Sequence, residues 1–392
     1  MIDLPPLSVA RQVGKYNLFG LGFRPFFLLT SLWAAIGVSL WGLWLLGYAQ
    51  FSPHGGMMVW HQHEMLVGLG SALAAGFLLT AVRNWTKLST PTGWMLAALA
   101  TTWLLGRLVW WLDDLIPVYL ILLLDSLFLP WLLWAIARPI WRRKQWNQWP
   151  FIAVLCALIV ANTLFHLATI TETVSTALAS QLATYALVGL LLVMGGRIIP
   201  FFTERGCALS LKKTPERLVK AYFALLLLVA LLDMTGMFPS LFSVASLLMF
   251  GLLFAQLIYW QSWRTHTNPL VWILHLGYAG LAMGFLLKSL ALLRPDIAAL
   301  STHAWMIIGM GGIGFGMMAR VSLGHSGRAL VVLPGMQWAF LLVIAAGVSR
   351  LFSTTWSVLL PFALVLWIGA FLILLWHYVP VWIQRRADGQ PD

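Results

Sequence analysis

The chain has 392 residues, of which 61% are hydrophobic and 9% charged, with 24 basic side chains against 12 acidic ones. A soluble domain carries about 25% charged residues, so this composition excludes a water-soluble enzyme and a disordered chain. The net charge of +12 is dispersed in short basic clusters, and no aromatic-interleaved basic patch that would bind nucleic acid is present.

Long unbroken apolar runs predict an all-α polytopic membrane protein; a transmembrane barrel would need alternating segments of about 10 residues. Twelve membrane helices of about 20 residues each are expected over 26–47, 60–82, 93–112, 115–136, 151–171, 177–199, 218–236, 239–260, 269–292, 302–321, 330–350 and 356–378. They make one transmembrane domain over 26–379, between an N-terminal segment 1–25 and a tail 380–392. The first run follows Arg11, Lys15 and Arg24 and lacks a small-residue cleavage site, so no cleavable signal peptide is expected. Pro53, Pro91, Pro117, Pro150, Pro200, Pro239, Pro269 and Pro295 lie near expected span ends, whereas Pro130, Pro334 and Pro361 fall inside spans and predict kinks. The 23 tryptophans suit aromatic belts at both interfaces. Cys156 and Cys207 form neither a disulfide framework nor a CxxC motif.

Sidedness follows from Lys and Arg in the connections. Arg11, Lys15 and Arg24 precede the first helix; Arg83 and Lys87 fill the second connection, and Arg138, Arg142, Arg143 and Lys144 the fourth. Arg205, Lys212, Lys213 and Arg217 fill the sixth, Arg264 the eighth, Arg328 the tenth, and Arg385 and Arg386 the tail. The odd-numbered connections offer only Arg294. Both termini are therefore expected in the cytoplasm. The second, sixth and tenth helices end similarly, at Arg83, Arg197 and Arg320. Three repeats of four helices would produce this, and so would three helices that merely end at one basic interface.

Ionisable groups at membrane depth are costly and point to function. Of the nine histidines, His54, His61, His63, His166 and His303 should converge near the outer leaflet, while His266, His275, His325 and His377 lie in the inner half or beyond it. A lone intramembrane imidazole is commonly just hydrogen-bonded to a neighbouring helix. Several at one depth point instead to a metal, for which imidazole is a common ligand. In "WHQHEM", His61 and His63 point about 200° apart on a regular helix, so either the helix starts after His61 or the two serve different sites on opposite faces, and the second is expected. Glu64 falls one turn from His61, on its face. That places His61 at the more polar metal site and His63 at a haem on the other side. The motif is not the zincin HExxH.

The tenth helix stacks His303, Met306, Met310 and Met317 on one stripe. Thioethers suit cuprous copper, but methionine is more often a gap-filler of cores. Gly309, Gly311 and Gly314 match GxGxxG by accident, since no strand precedes them; they form a small-residue face for a close helix or a flat porphyrin. Arg107 and Lys288 sit where haem propionates could lie, with Asp113, Asp114 and Asp233 as equally available partners. Asp125 is the deepest carboxylate and a candidate proton-relay member, although no ladder of acids leads to it.

Four blocks resemble the NnrS family of haem- and copper-containing membrane proteins linked to nitric oxide stress. They are "WHQHEMLVGLGSALAAGFLLTAVRNWT" (60–86), "GGRIIPFFT" (195–203), "HLGYAGLAMG" (275–284) and "HAWMIIGMGGIGFGMMARVSLGHSGR" (303–328). "AVRNWT" departs from the pattern, which has a proline before the asparagine. The resemblance implies twelve helices, b-type haem, copper and protection from nitric oxide. It maps ligand histidines onto His61, His63, His275, His303 and His325, with His166 a further candidate.

Three functions then stand. The first is an oxidoreductase that reduces nitric oxide at a haem-linked dinuclear site, with Glu64 shuttling protons at its mouth. The second is a haem protein that binds nitric oxide without turnover. The third is a metal-handling transporter using the Met/His stripe. The expected site residues are Glu64 for catalysis; His63, His275, His303, His325, Arg107 and Lys288 around the cofactor; and His61, His63, His166, His275, His303 and His325 toward metal. The expected partners are nitric oxide, the lipid bilayer and an unidentified electron donor. No CxxCH is present, so no covalent haem is expected.

Overall fold

The computed structural model describes residues 16–171, 174–212 and 214–390. Arg11, Lys15 and Lys213, counted above for sidedness, lie outside the described residues. Among the described residues the chain is helical, and its nearest approach to β structure is an isolated bridge between Tyr16 and Gln384.

Each expected span has a helical counterpart. We label them α1 (Phe23–Leu45), α2 (Gly56–Thr86), α3 (Trp94–Val109), α4 (Val118–Arg142), α5 (Trp149–Ile170), α6 (Thr176–Cys207), α7 (Glu216–Thr235), α8 (Pro239–Tyr259), α9 (Pro269–Leu290), α10 (Pro295–His325), α11 (Met336–Phe352) and α12 (Leu359–Ile383). Ten of them are long and apolar enough to cross a membrane; α3 and α11 have 16 and 17 residues. Large apolar side chains such as Leu227, Val365 and Trp376 are exposed on the outside of the bundle. Water would not tolerate so apolar a surface on a monomer. This is a multi-pass membrane protein whose outer surface meets lipid.

The expected kinks are borne out in one place of three. α4 is interrupted at Leu127, where Pro130 cannot donate to the preceding turn. Pro334 instead lies in the connection before α11, and Pro361 sits in the first turn of α12, where its missing donor costs nothing.

α2, α6 and α10 are the central helices. Their most apolar 18-residue windows are 83%, 78% and 94% buried, more than those of any other span. They are also the three helices that carry Arg83, Arg197 and Arg320, although α6 continues past Arg197 to Cys207 and does not end there as expected, and α6 touches both of the others. The remaining helices surround them, and α1 packs on α12 to bring the two ends of the chain together. Arg24, fully buried, donates to the carbonyls of Val381, Trp382 and Gln384 and ties that seam.

The glycines of α10 admit helices. A Cβ on Gly277 would lie 2.5 Å from the Ile313 nitrogen, and one on Gly312 would lie 2.8 Å from Gly277 Cα. The α9 and α10 backbones are therefore in direct contact, as small-residue faces in membranes allow. Gly311 meets Trp367, and Gly314 meets Leu73. Met306, Met310 and Met317 are buried in the apolar core, which agrees with the packing reading of that stripe.

Two helices widen. α2 becomes a π-helix over Glu64–Leu69, and α10 does so over Ala304–Met310. Each π segment begins at the residue after a histidine, His63 in one case and His303 in the other. Such bulges re-aim side chains and gather at functional sites.

Candidate functional site

One end of the bundle holds the start of α2, the ends of α3 and α5, and the start of α10. His54, His61, His63, His166 and His303 all lie there, the convergence expected from their depth. His275 and His325 lie toward the opposite, basic end.

The densest polar group is a knot of four helices. His63 and Glu64 come from α2, Arg107 from α3, Asp125 from α4, and Asn162 and His166 from α5. All six are buried. His63 donates through Nδ1 to Glu64 Oε1 at 3.0 Å, and its Nε2 is 2.7 Å from Asn162 Oδ1 and 3.2 Å from Asp125 Oδ2. His166 Nε2 is 2.8 Å from the same Asp125 Oδ2. Arg107 donates through Nη2 to Asp125 Oδ1 at 2.7 Å. Its Nε approaches Glu64 Oε2 at 2.6 Å, an ion-pair contact without hydrogen-bond geometry.

Local sequence explains why these groups fit. A Cβ on Gly68 would fall 2.6 Å from Glu64 Oε2, and one on Gly106 would fall 2.6 Å from Asp125 Oδ1. Only glycine leaves room for the carboxylates at those points. The π segment interrupts the regular hydrogen-bond ladder, and Trp103 Nε1 donates to Gly68 O at 2.9 Å there. Trp110 roofs the knot, with its ring 4.3 Å from His63 and 5.1 Å from His166. The first connection closes over Trp110. His54 N donates to Trp110 O at 2.7 Å, and its ring bridges Asp113 at 2.7 Å and Thr169 at 2.8 Å.

The structure corrects the reading of "HQHE". Glu64 was expected on the face of His61, at the mouth of the site. It pairs instead with His63 and Arg107 and is fully buried. The helix is regular through His63, and the Glu64 side chain turns toward His63 and Arg107, which offer it partners that the His61 face does not. His61 does face a different surrounding, as the ~200° argument required. Its ring stacks on Trp41, with centroids 4.0 Å apart and planes at 13°, and His303 and Arg350 are its nearby basic side chains. His61 Nδ1 is buried without a hydrogen-bond partner. His303 donates through Nδ1 to Ala299 O at 3.0 Å; that bond leaves the Nε2 lone pair as its ligating position.

Other expected residues are engaged elsewhere. Lys288 pairs with Asp233 at 2.7 Å, one of the partners the sequence offered. Arg107 has taken Glu64 and Asp125, neither of which was foreseen for it. His275 lies between Thr203 Oγ1 at 2.8 Å and Ser262 Oγ at 2.7 Å. His325 is half-buried at the end of α10 beside the ring of Phe23. Asn162 was missed, although it stands four residues before His166 on one face of α5, the spacing that makes helical neighbours.

The knot can hold a cation. His63, Asp125 and His166 each offer a ligand atom, and these atoms lie within 4.8 Å of one another. Two imidazoles and a carboxylate suit zinc, copper or iron. Charge points the same way. Glu64 and Asp125 carry two negative charges against the single guanidinium of Arg107, and a buried excess charge must be neutralised.

No curated protein matches the chain, but a family model described as "NnrS protein" matches residues 17–386, nearly its whole length. The chain belongs to the NnrS family, a membership that marks it as a haem- or metal-associated membrane protein of nitric oxide stress.

Proposed function

We propose that the protein removes nitric oxide by reducing it at a haem-linked metal centre in the histidine end of the bundle. The observation that carries this reading is the knot itself: two imidazoles and a carboxylate, all buried, with ligand atoms within 4.8 Å of one another. His63, Asp125 and His166 would hold the non-haem metal, for which the family resemblance favours copper. His61 and His303 would face the b-type haem. The assignment of the two helix 2 histidines is thus the reverse of the one drawn from regular helix geometry. Bound metals would supply the redox chemistry that nitric oxide reduction requires.

The chain's own residues have separate tasks in this reading. Glu64 accepts the Nδ1 proton of His63 and so keeps its Nε2 directed at the metal position, the role of a carboxylate behind a ligating histidine. Arg107 holds both carboxylates in place. Trp110, locked under His54, keeps water from the knot, so its charges act at low dielectric. Nitric oxide is small and neutral and reaches such a site through the bilayer. The termini lie on the cytoplasmic side of a bacterial inner membrane, and a reporter fused after Asp392 is expected to be active only there.

The test is haem and copper quantitation on the detergent-purified protein, followed by nitric oxide consumption with an electron donor present. Nitrous oxide release is the expected result. Haem that binds nitric oxide with no nitrous oxide formed would leave a binding protein in its place.

A further inference from the structure

Glu64 lies at the floor of the site and cannot collect protons from water. A second buried polar cluster lies between α6, α7, α9 and α10 at the same end. Asp233 Oδ2 accepts from the Tyr185 hydroxyl at 2.8 Å and from Lys288 Nζ at 2.7 Å. The Asp233 and Lys288 side chains are each 12% exposed, so the pair stands at the edge of solvent. Tyr185 packs its ring 5.5 Å from Trp305.

Below this pair is a cavity of about 50 Å³, lined among others by Ser180, Thr184, Tyr185, Asp233 and Thr302. One water needs roughly 10–15 Å³ of such space and two to four polar partners, so the cavity has room for a few. The contrast is a pocket of about 10 Å³ walled by Leu69, Leu73, Met310 and Phe315, which offers a water almost nothing to bond. The polar cavity is lined by α10 and stands one hydrogen bond from α2. Thr302 precedes His303, and Ser180 donates at 2.8 Å to Gln62, which lies between His61 and His63.

We propose that Asp233, Tyr185 and the waters of this cavity form the proton inlet of the histidine centre, with Lys288 as the counter-ion of Asp233. The proposal rests on nitric oxide reduction as the reaction of the site: 2 NO + 2 H⁺ + 2 e⁻ → N₂O + H₂O, with electrons from a one-electron donor of the cytochrome or quinol class. Asp233 takes a proton from the aqueous side and passes it through the Tyr185 hydroxyl. Tyr185 gives up its own proton to a cavity water as it gains one, so neither residue is changed by a cycle. Chains of acids, hydroxyls and water are the usual proton relays inside membranes.

Two measurements on the full-length detergent-purified protein test it. Radiolytic hydroxyl-radical footprinting reads internal water directly and needs no turnover. Trp305 is expected to be oxidised at least several-fold faster than Trp382, which is equally buried. Equal rates would mean a dry cavity and would overturn the inlet. The second measurement is nitrous oxide release by Tyr185→Phe, which removes one hydroxyl and keeps the packing, and by Asp233→Asn. Both should slow release about tenfold or more while the spectrum of the nitric oxide complex stays that of wild type. Unchanged rates in both variants would also overturn the inlet. A wild-type protein that forms no nitrous oxide would sink the functional reading and the inlet with it, and that failure is visible before any variant is made.

Discussion

His63 and His275 are both buried imidazoles, toward opposite ends of one apolar bundle, and they have opposite surroundings. His63 is set among Glu64, Asp125 and Arg107. His275 sees two hydroxyls and the edge of Trp260. Thr203 and Ser262 also bond the carbonyls of Ile199 and Leu257. A neutral ring donates to one hydroxyl and accepts from the other, so one hydroxyl turns its proton from the backbone to the ring. The His275 group is closed without charge; the His63 group needs a cation. Burial alone does not say what a histidine in a membrane is for. The charge around it does.

The comparison is broken most severely at Arg107. Arg107→Met leaves two carboxylates buried together, and unpaired buried charges cost about 3–5 kcal/mol. A large fall in thermal midpoint in detergent is expected, with loss of bound metal. A variant as stable and as metal-loaded as wild type would show that the knot is not held by charge.

Alanine at the two helix 2 histidines sharpens the contrast next. His63→Ala should lose the non-haem metal and keep the haem, and His61→Ala should do the reverse, read by elemental analysis and absorption spectra. Loss of the same cofactor from both would mean that the π bulge brings both rings to one centre.

Glu64→Gln keeps the size of the side chain and removes its charge. Second-layer partners of ligating histidines are worth about 10–100-fold in metal affinity, and a loss in that range is expected in a competition titration with a chelator. No change would remove Glu64 from the site.

The smallest effects belong to the neutral side of the comparison. His275→Ala should cost about 1–3 kcal/mol through its two hydroxyl partners, and Thr203→Val about 1 kcal/mol. Haem and copper content should not move in either. If His275→Ala lost a cofactor, His275 would be a ligand, as the family resemblance implied, and its hydroxyl pair only the resting arrangement.

Much of this protein is legible without coordinates. Apolar runs, connection charges and prolines at span ends define a helical membrane protein, because a bilayer leaves the backbone few alternatives. The gathering of five histidines at one depth was equally readable, since depth depends only on position along a helix. What the sequence could not state is which groups meet. Asp125, Asn162 and Arg107 reach His63 from three other helices, and no spacing along the chain encodes those contacts. The direction of the Glu64 side chain decided the rest. Its carboxylate turns from the His61 face to His63 and Arg107, where its partners stand, and helical spacing fixes where a side chain starts but not which way it turns.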